Sequence, residues 1–600
     1  MNSYSTTIFE QQNPSKKGDR QKASQESSDY SAKPAKAEKI QSSPSRHSQA
    51  HHDSKAKTAV FSDLFLEYLD EFEDAINYEK RASISPIQVD ELASRVAKLY
   101  ERLRRIIDWK EEHLVRRTAI ERILKRRLLT EISGIAITSG LDAEEMAEPL
   151  VLELIRSGYF SNGRISRRRI PEAKEALAKY IFVLNNSPVA KKQINVKEKI
   201  NFYNWFLEIA ACELEQILDP AFKENALLNL MTNAMYRRIQ LIPKDAVDEQ
   251  NKLIQTYIAV HRTLFNLDEP FIIFNLMKIK YPDWFTANSE YLEYFAKNIE
   301  KIRQDLENEL INKQGRPFFS LCQVYDAAYL MIGDILKKLA KEPETIKEEL
   351  ADKKSLNSII EKVYAKRLKT LKSRLMRSAI YSTLSIFLSG IVSYIIFEGP
   401  VAHLVHGKFS AFALFVDLAV PTAIMFILVM IIRPPSDENL ARVKEEIYKI
   451  VYRQEQDDIY ELSFKKKKKY FINTVFTLIS LLAGTASLAG IWWIFKIAGV
   501  PWTSLYIDTI SVAMIVFAAM IIKDRSKEIT IQEKGSFGEF FVDLFTLPLA
   551  KIGQWFSSKW REYNVISVFF TALVDTPFSV LISTIEDWRS FLKEKRSEIH

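Results

Sequence analysis

Glycine is scarce in this chain, 16 residues in 600, so few positions suit the close backbone approaches that phosphate-binding loops demand. No Gly-rich loop ending in Gly-Lys-Ser/Thr occurs, and no His-Glu-x-x-His, paired-cysteine metal motif or Gly-x-Ser-x-Gly elbow. Nothing therefore points to a named reaction, a catalytic residue, a metal or a cofactor, and a non-enzymatic role is the expectation. Cysteine occurs only as Cys212 and Cys322. They lie far apart in amphipathic segments and are expected to be reduced packing residues rather than a disulfide. Sustained apolar/polar alternation is also lacking, which favours helix over strand. Met1–Glu10 has no apolar run, so a cleavable leader is not expected and later segments would direct any membrane insertion.

What the chain does have is four long apolar stretches, Ser378–Phe397, Phe409–Ile432, Phe471–Phe495 and Leu505–Ile522. Each is close to the roughly 20 helical residues that cross a bilayer core of about 30 Å. Lipid offers backbone groups no partner, so such stretches are expected as helices. Basic residues alternate in the connections. Lys362, Lys366, Arg367, Lys369, Lys372, Arg374 and Arg377 precede the first stretch, and Lys465–Lys469 closes the second connection. Lys523, Arg525 and Lys527 follow the fourth stretch, whereas the other two connections carry almost no charge. That pattern predicts both termini on the cytoplasmic side. The net charge of +8 sits largely beside these stretches, where topology and an anionic leaflet account for it without nucleic acid.

The remaining organisation follows from composition. Residues 1–57 hold hardly an aliphatic side chain and cannot bury enough apolar surface to order, so a disordered polar tail is expected. Residues 58–355 read as a cytoplasmic bundle or irregular solenoid of amphipathic helices, since no repeat period is found. Ser85-Pro86-Ile87-Gln88 carries the signature of a helix start, with Leu92, Val96, Leu99, Leu103 and Ile106 as its apolar face. Asp142 and Glu145 form a second capping box ahead of Met146, Leu150 and Leu154. A further helix is expected over about Ser289 to Asn312, closed by Gly315 and Pro317. Gly158–Ile165 contains Asn-Gly between short apolar runs, which predicts a hairpin, followed by Arg164, Arg167, Arg168 and Arg169. Residues 356–377 form a connecting helix that runs into the membrane domain, 378–523. Aromatic and basic residues interleave in 524–600, which fits amphipathic helices lying in the interface, with the apolar segment 565–585 as a shallow hairpin partly inserted in the leaflet, or a core against the soluble domain or another subunit.

Candidate functional residues lie inside the apolar stretches. Asp417, four residues before Pro421, would be costly in hydrocarbon and is expected to face a partner or a wet cavity. Asp508 and Lys496 flank the short third connection and could pair. Ser382, Ser385, Ser389, Gly390 and Ser393 fall on one face of the first stretch, and Ser480, Gly484, Ser487 and Gly490 on the third. Small residues at that spacing let helices approach closely. Glu398, His403 and His406 in the first outer loop are ordinary surface residues in this reading. The first functional expectation is an all-α polytopic membrane protein acting as a scaffold, with the lipid bilayer and a protein partner or further copies as its partners. The second is an oligomeric channel or transporter with Asp417 on its pathway.

Overall fold

A computed structural model describes residues 60–82, 86–89, 112–129, 143–191, 196–395, 411–432, 434–453, 458–464, 470–497, 502–531 and 537–562. The polar tail at 1–57, the stretch Leu92–Ile106, the loop containing His403 and His406, and the apolar segment at 565–585 lie outside them. The chain is mostly helical, as the composition implies. Its first helices are α1 (Asp63–Ala82), α2 (Glu112–Leu129), α3 (Ala143–Arg156), α4 (Arg169–Asn186), the short α5 (Pro188–Lys191), α6 (Val196–Leu218) and α7 (Phe222–Arg238). The strand β1 (Ile239–Ile242) leads to α8 (Glu249–Leu264), α9 (Glu269–Lys280), α10 (Ser289–Ile311), α11 (Gly315–Leu339) and α12 (Ile346–Ala351). Then come α13 (Lys353–Ser393), α14 (Ala411–Ile431), α15 (Asp437–Val451), β2 (Tyr460–Ser463), α16 (Tyr470–Ile497), α17 (Trp502–Ser526) and α18 (Phe537–Glu562).

Local sequence sets several of these boundaries. Asp248, Asp268, Asn288 and Asp352 each stand just before a helix and accept a backbone N–H of its first turn, at 3.1, 3.4, 2.8 and 3.0 Å. Met146, Leu150 and Leu154 all point into the core from α3, as their spacing predicts. The helix expected at 289–312 is α10. Gly315, expected to close it, instead opens α11, where a Cβ would stand 2.4 Å from Gln255 Oε1. A side chain there would have to displace the Gln255 amide, because α8 and the start of α11 come together.

Two other expectations change. Pro86 does not begin a helix but pairs, extended, with Ser166, and Ile87 exchanges hydrogen bonds with Ile165 (2.8 Å) and Gly163 (3.1 Å). Residues 158–165 form turns rather than a hairpin, with Gly158 and Gly163 at φ 74° and 81°. The Asn162 amide bonds both the N–H and the C=O of Val89, at 3.0 and 3.1 Å. The Asn-Gly signal was thus a turn whose polar side chain captures a distant segment. Arg164 pairs with Asp219 at 2.9 Å, and Arg169 with Glu172.

The large domain has two apolar cores. The first gathers α2, α3, α4, α6, α9 and α10 around Tyr180, Phe206, Trp284 and Phe295. The second gathers α1, α7, α8 and α11 with the first half of α13, and also contains Val443, Ile447 and Ile450 of α15, Leu462 of β2, and Ile529 and Ile531 after α17. Helix α8 serves both, giving Ile254 and Ile258 to one and Ala259, Val260 and Leu264 to the other. Cys212 and Cys322 are free thiols buried one in each core.

Helix α13 spans 41 residues without interruption, about 60 Å at 1.5 Å per residue. Leu356, Ile360, Tyr364 and Leu371 bury its first half in the second core, whereas Met376, Ile380, Leu384, Phe387, Leu388 and Val392 of its second half are exposed. This is the continuous helix from domain to apolar stretch that the lack of Gly and Pro predicts. Its second half packs against α14 and α17, and α16, α17 and α18 pack together beside them. Among the described residues, α13 and Thr477–Ile497 of α16 are long and apolar enough to cross a membrane, and Phe415–Ile431 of α14 is a shorter apolar helix.

Candidate functional site at the domain junction

Asp417 and Asp508 each stand six residues after the start of their helices, α14 and α17. These helices pack side by side, with Val416 clustering with Val512 and Val516, and Met425 with Ile515 and Ala519. Both helices therefore run the same way, and both carboxylates lie toward the end of the bundle remote from the large domain. Asp508 is only 4% exposed, and Asp417 is half-buried. Lys496 is exposed and does not pair with Asp508. Its ammonium instead lies 4.5 Å from the centre of the Trp492 ring, one turn back on the same helix, a cation–π contact that needs no second helix.

The small residues meet partners that their spacing did not specify. A Cβ on Gly390 would stand 2.8 Å from Leu418 Cδ2, so the first apolar helix approaches α14 there. Ser382 is half-buried, but Ser385 and Ser389 are exposed, and the side chain of Ser393 is outside the described set. The half-buried stripe of α13 runs instead through Leu375, Ala379, Thr383, Ile386 and Gly390. Gly484 of α16 faces α18, where its Cβ would lie 2.7 Å from Pro548 Cβ, and Gly490 has no heavy atom within 4 Å of that position. Helix α18 is thus seated on the bundle. A Cβ on Gly553 would stand 2.2 Å from the Ala513 carbonyl oxygen, and Asp543 pairs with Lys523 at 2.5 Å. Phe541, Phe545, Ile552 and Trp555 of α18 remain exposed.

The most elaborate polar structure lies where the apolar helices enter the large domain. Asn439, fully buried on α15, donates from Nδ2 to Tyr364 Oη (3.0 Å) on α13 and to the Ile529 carbonyl (2.6 Å), and its Oδ1 accepts the Ile531 N–H (2.8 Å). One amide thereby ties together the helix before the first apolar stretch, the connection after the second and the segment after the fourth. Beside it Arg367 of α13 pairs with Asp334 of α11 and with Glu528 (3.1 Å). On the other flank Arg238, at the end of α7, bonds Glu446 (3.1 Å), Tyr460 Oη (3.3 Å) and the Lys449 carbonyl (2.9 Å). Burial alone would lower the Arg238 pKa, but Tyr329, Tyr460 and Glu446 outweigh it and hold the guanidinium above its ordinary range.

Backbone pairing reinforces the same junction. β1 and β2 form a parallel pair, Ile239 opposite Tyr460 and Leu241 opposite Leu462. Parallel strands need a long crossover, and this one contains α13 and α14. At the N-terminal edge Ser62 donates through its N–H to Val451 O (2.9 Å) and through Oγ to Ile450 O (2.7 Å), and Phe61 stacks on Tyr452.

The basic residues of 433–469 mark a connection in the sequence and give no sign of the roles of Asn439, Glu446 and Tyr460. Leu440, Val443, Ile447 and Ile450 repeat at three and four residues, the signal that would have disclosed α15 as a core helix. Elsewhere in the large domain the buried carboxylates Glu213 and Glu215 have close partners. Glu213 takes hydrogen bonds from Lys179 (3.0 Å), Tyr180 (2.8 Å) and Trp284 (3.0 Å), and Glu215 pairs with Arg116 at 2.8 Å. Burial raises the Glu215 carboxyl to about 7 against the pull of Arg116, pushes both thiols above their usual range, and lowers His261 to about 4. Such groups hold helices in place; among the described residues no three His, Cys, Asp or Glu side chains are arranged to hold a metal. Comparison with family models, curated proteins and solved structures finds no match to this chain.

Proposed function

We propose that the chain is a multi-pass membrane protein in which α13, α14, α16 and α17 cross the bilayer and hold a cytoplasmic helical domain against it as a non-enzymatic scaffold. The supporting observation is the junction itself. The second core of the large domain is completed by α15, β2 and residues 529–531, which lie between and after the apolar helices. Rigid attachment of this kind suits a domain that presents surfaces at a fixed distance from lipid. Outward-facing Ile380, Leu384, Phe415, Phe426, Leu478 and Leu482 would cost about 25 cal/mol per Å² in water and nothing in hydrocarbon. The basic residues at the domain end of these helices support a cytoplasmic assignment for that end. Its partners are the bilayer and a protein, either another chain or further copies of itself.

The shared end of Asp417 and Asp508 on adjacent helices favours a second reading, a channel or transporter whose pathway passes these carboxylates. Flux of protons, sodium and potassium in proteoliposomes, beside an Asp417→Asn variant, separates the two. The scaffold reading expects no flux from inserted, folded protein. Flux that Asp417→Asn abolishes without changing the melting transition would overturn it in favour of the pathway.

A further inference from the structure

Helix α13 carries two sets of basic side chains in the turns before its apolar face, and they are treated differently. Arg367 pairs with Asp334 and Glu528, and Arg374 reaches Glu528 at 3.9 Å. Lys362, Lys366, Lys369, Lys372 and Arg377 are exposed, and among the described residues none has a carboxylate within ion-pair distance. At 3.6 residues per turn these five fall within about 140° of one another, the four lysines on the side away from Arg367 and Arg374 and Arg377 at the edge nearer to them. This separation is a property of the fold, because the second core and Glu528 occupy the other side of the helix.

The unmatched face leads directly into the outward apolar face that begins at Met376 and Ile380. Taking the boundary at Arg377, Lys372 stands about 8 Å and Lys369 about 12 Å above it, and Lys362 about 22 Å. The headgroup layer is roughly 5–8 Å deep, and surface potential decays over about 8–10 Å at physiological salt. Flexible lysine stems extend the reach of the nearer residues. We infer that this face of α13 is a binding surface for the headgroups of anionic phospholipids in the leaflet beside the large domain. Lys369, Lys372 and Arg377 contribute most and Lys362 least. The inference rests on the membrane reading above.

The test uses full-length protein reconstituted in phosphatidylcholine bilayers that contain a trace of acyl-chain spin-labelled phosphatidylserine or phosphatidylcholine. The motionally restricted fraction of each label reports its relative association with the protein. The expected result is a several-fold preference for phosphatidylserine over phosphatidylcholine at 0.1 M salt. It should fall severalfold in 1 M salt, where the screening length shrinks to about 3 Å. It should also fall severalfold in Lys369→Gln/Lys372→Gln and hardly at all in Lys362→Gln. These are exposed helix-surface changes, and an unchanged melting transition confirms that the fold is kept. Equal association of the two lipids, or a preference that Lys369→Gln/Lys372→Gln leaves intact, overturns the inference while leaving the membrane reading in place. Absence of a restricted component for both labels overturns the membrane reading itself.

Discussion

Replacing Asn439 by Leu keeps the side-chain volume close and removes every hydrogen bond of the junction amide. The Ile529 carbonyl and the Ile531 N–H, now at 2.6 and 2.8 Å from Asn439, would lose the buried amide that satisfies them. Each of these two backbone groups costs about 1–3 kcal/mol when stranded, against roughly 1 kcal/mol regained from the more apolar side chain, so a net loss of about 1–5 kcal/mol is expected. At under about 2 °C per kcal/mol for a domain of this size, that corresponds to a fall of roughly 2–8 °C in melting temperature. The assay is thermal unfolding of the full chain in detergent, together with hydrogen exchange at Ile531. Asn439→Leu should melt lower and exchange that amide much faster, because the cheapest response is release of residues 527–531. Asn439→Asp should lose as much, since it keeps the acceptor for Ile531 but faces the Ile529 carbonyl with a charge. A Leu variant that melts within about 1 °C of wild type with Ile531 still protected would refute the view that this amide fastens the junction.

Further predictions concern packing and pH. Gly553→Ala should displace α18 from α17, because its new Cβ meets the Ala513 carbonyl oxygen at 2.2 Å, and overpacking of this kind costs about 1–3 kcal/mol. Gly490→Ala, with open space around it, should be neutral or stabilising by up to about 1 kcal/mol; equal effects of the two on melting would contradict the packing described. Burial, and then the charge of Glu528, raise the Asp326 carboxyl to about 8. In the unfolded chain the same group ionises near 3.9, so between these values the folded state holds the extra proton and stability falls as pH rises. Asp326→Asn should narrow the difference in melting temperature between pH 5 and pH 8, and an unchanged difference would show that Asp326 is not a source of it.

How much was legible in the sequence depended on whether a residue's role was local or long-range. Helix content, the α3 face, α10 and the unbroken passage of α13 from core to apolar stretch all follow from spacing within one segment. The junction does not, because Asn439 acts through the carbonyl and N–H of residues about 90 positions away, and polar residues of connecting loops carry no mark of such partners. The small-residue faces show the same limit. Gly390 and Gly484 signal close approach, but only the fold says that the neighbours are Leu418 and Pro548. Asn162 misled for a related reason: Asn-Gly marks a turn, and whether the flanking chain pairs with itself or with Val89 is decided elsewhere. Lys496 settled on Trp492, a neighbour on its own helix, where charge alone had suggested Asp508.

The central claim is that the large domain is fastened to one side of a bilayer crossed by α13, α14, α16 and α17. Single cysteines at Glu398, Pro501, Gln456 and Glu533 test it most directly, by labelling intact membrane vesicles with an impermeant maleimide. Background is low because Cys212 and Cys322 are both buried, with their thiols pushed above the usual range. The account predicts that positions 398 and 501 react only from the outer side and positions 456 and 533 only from the cytoplasmic side. Labelling of all four positions from the same side would contradict it.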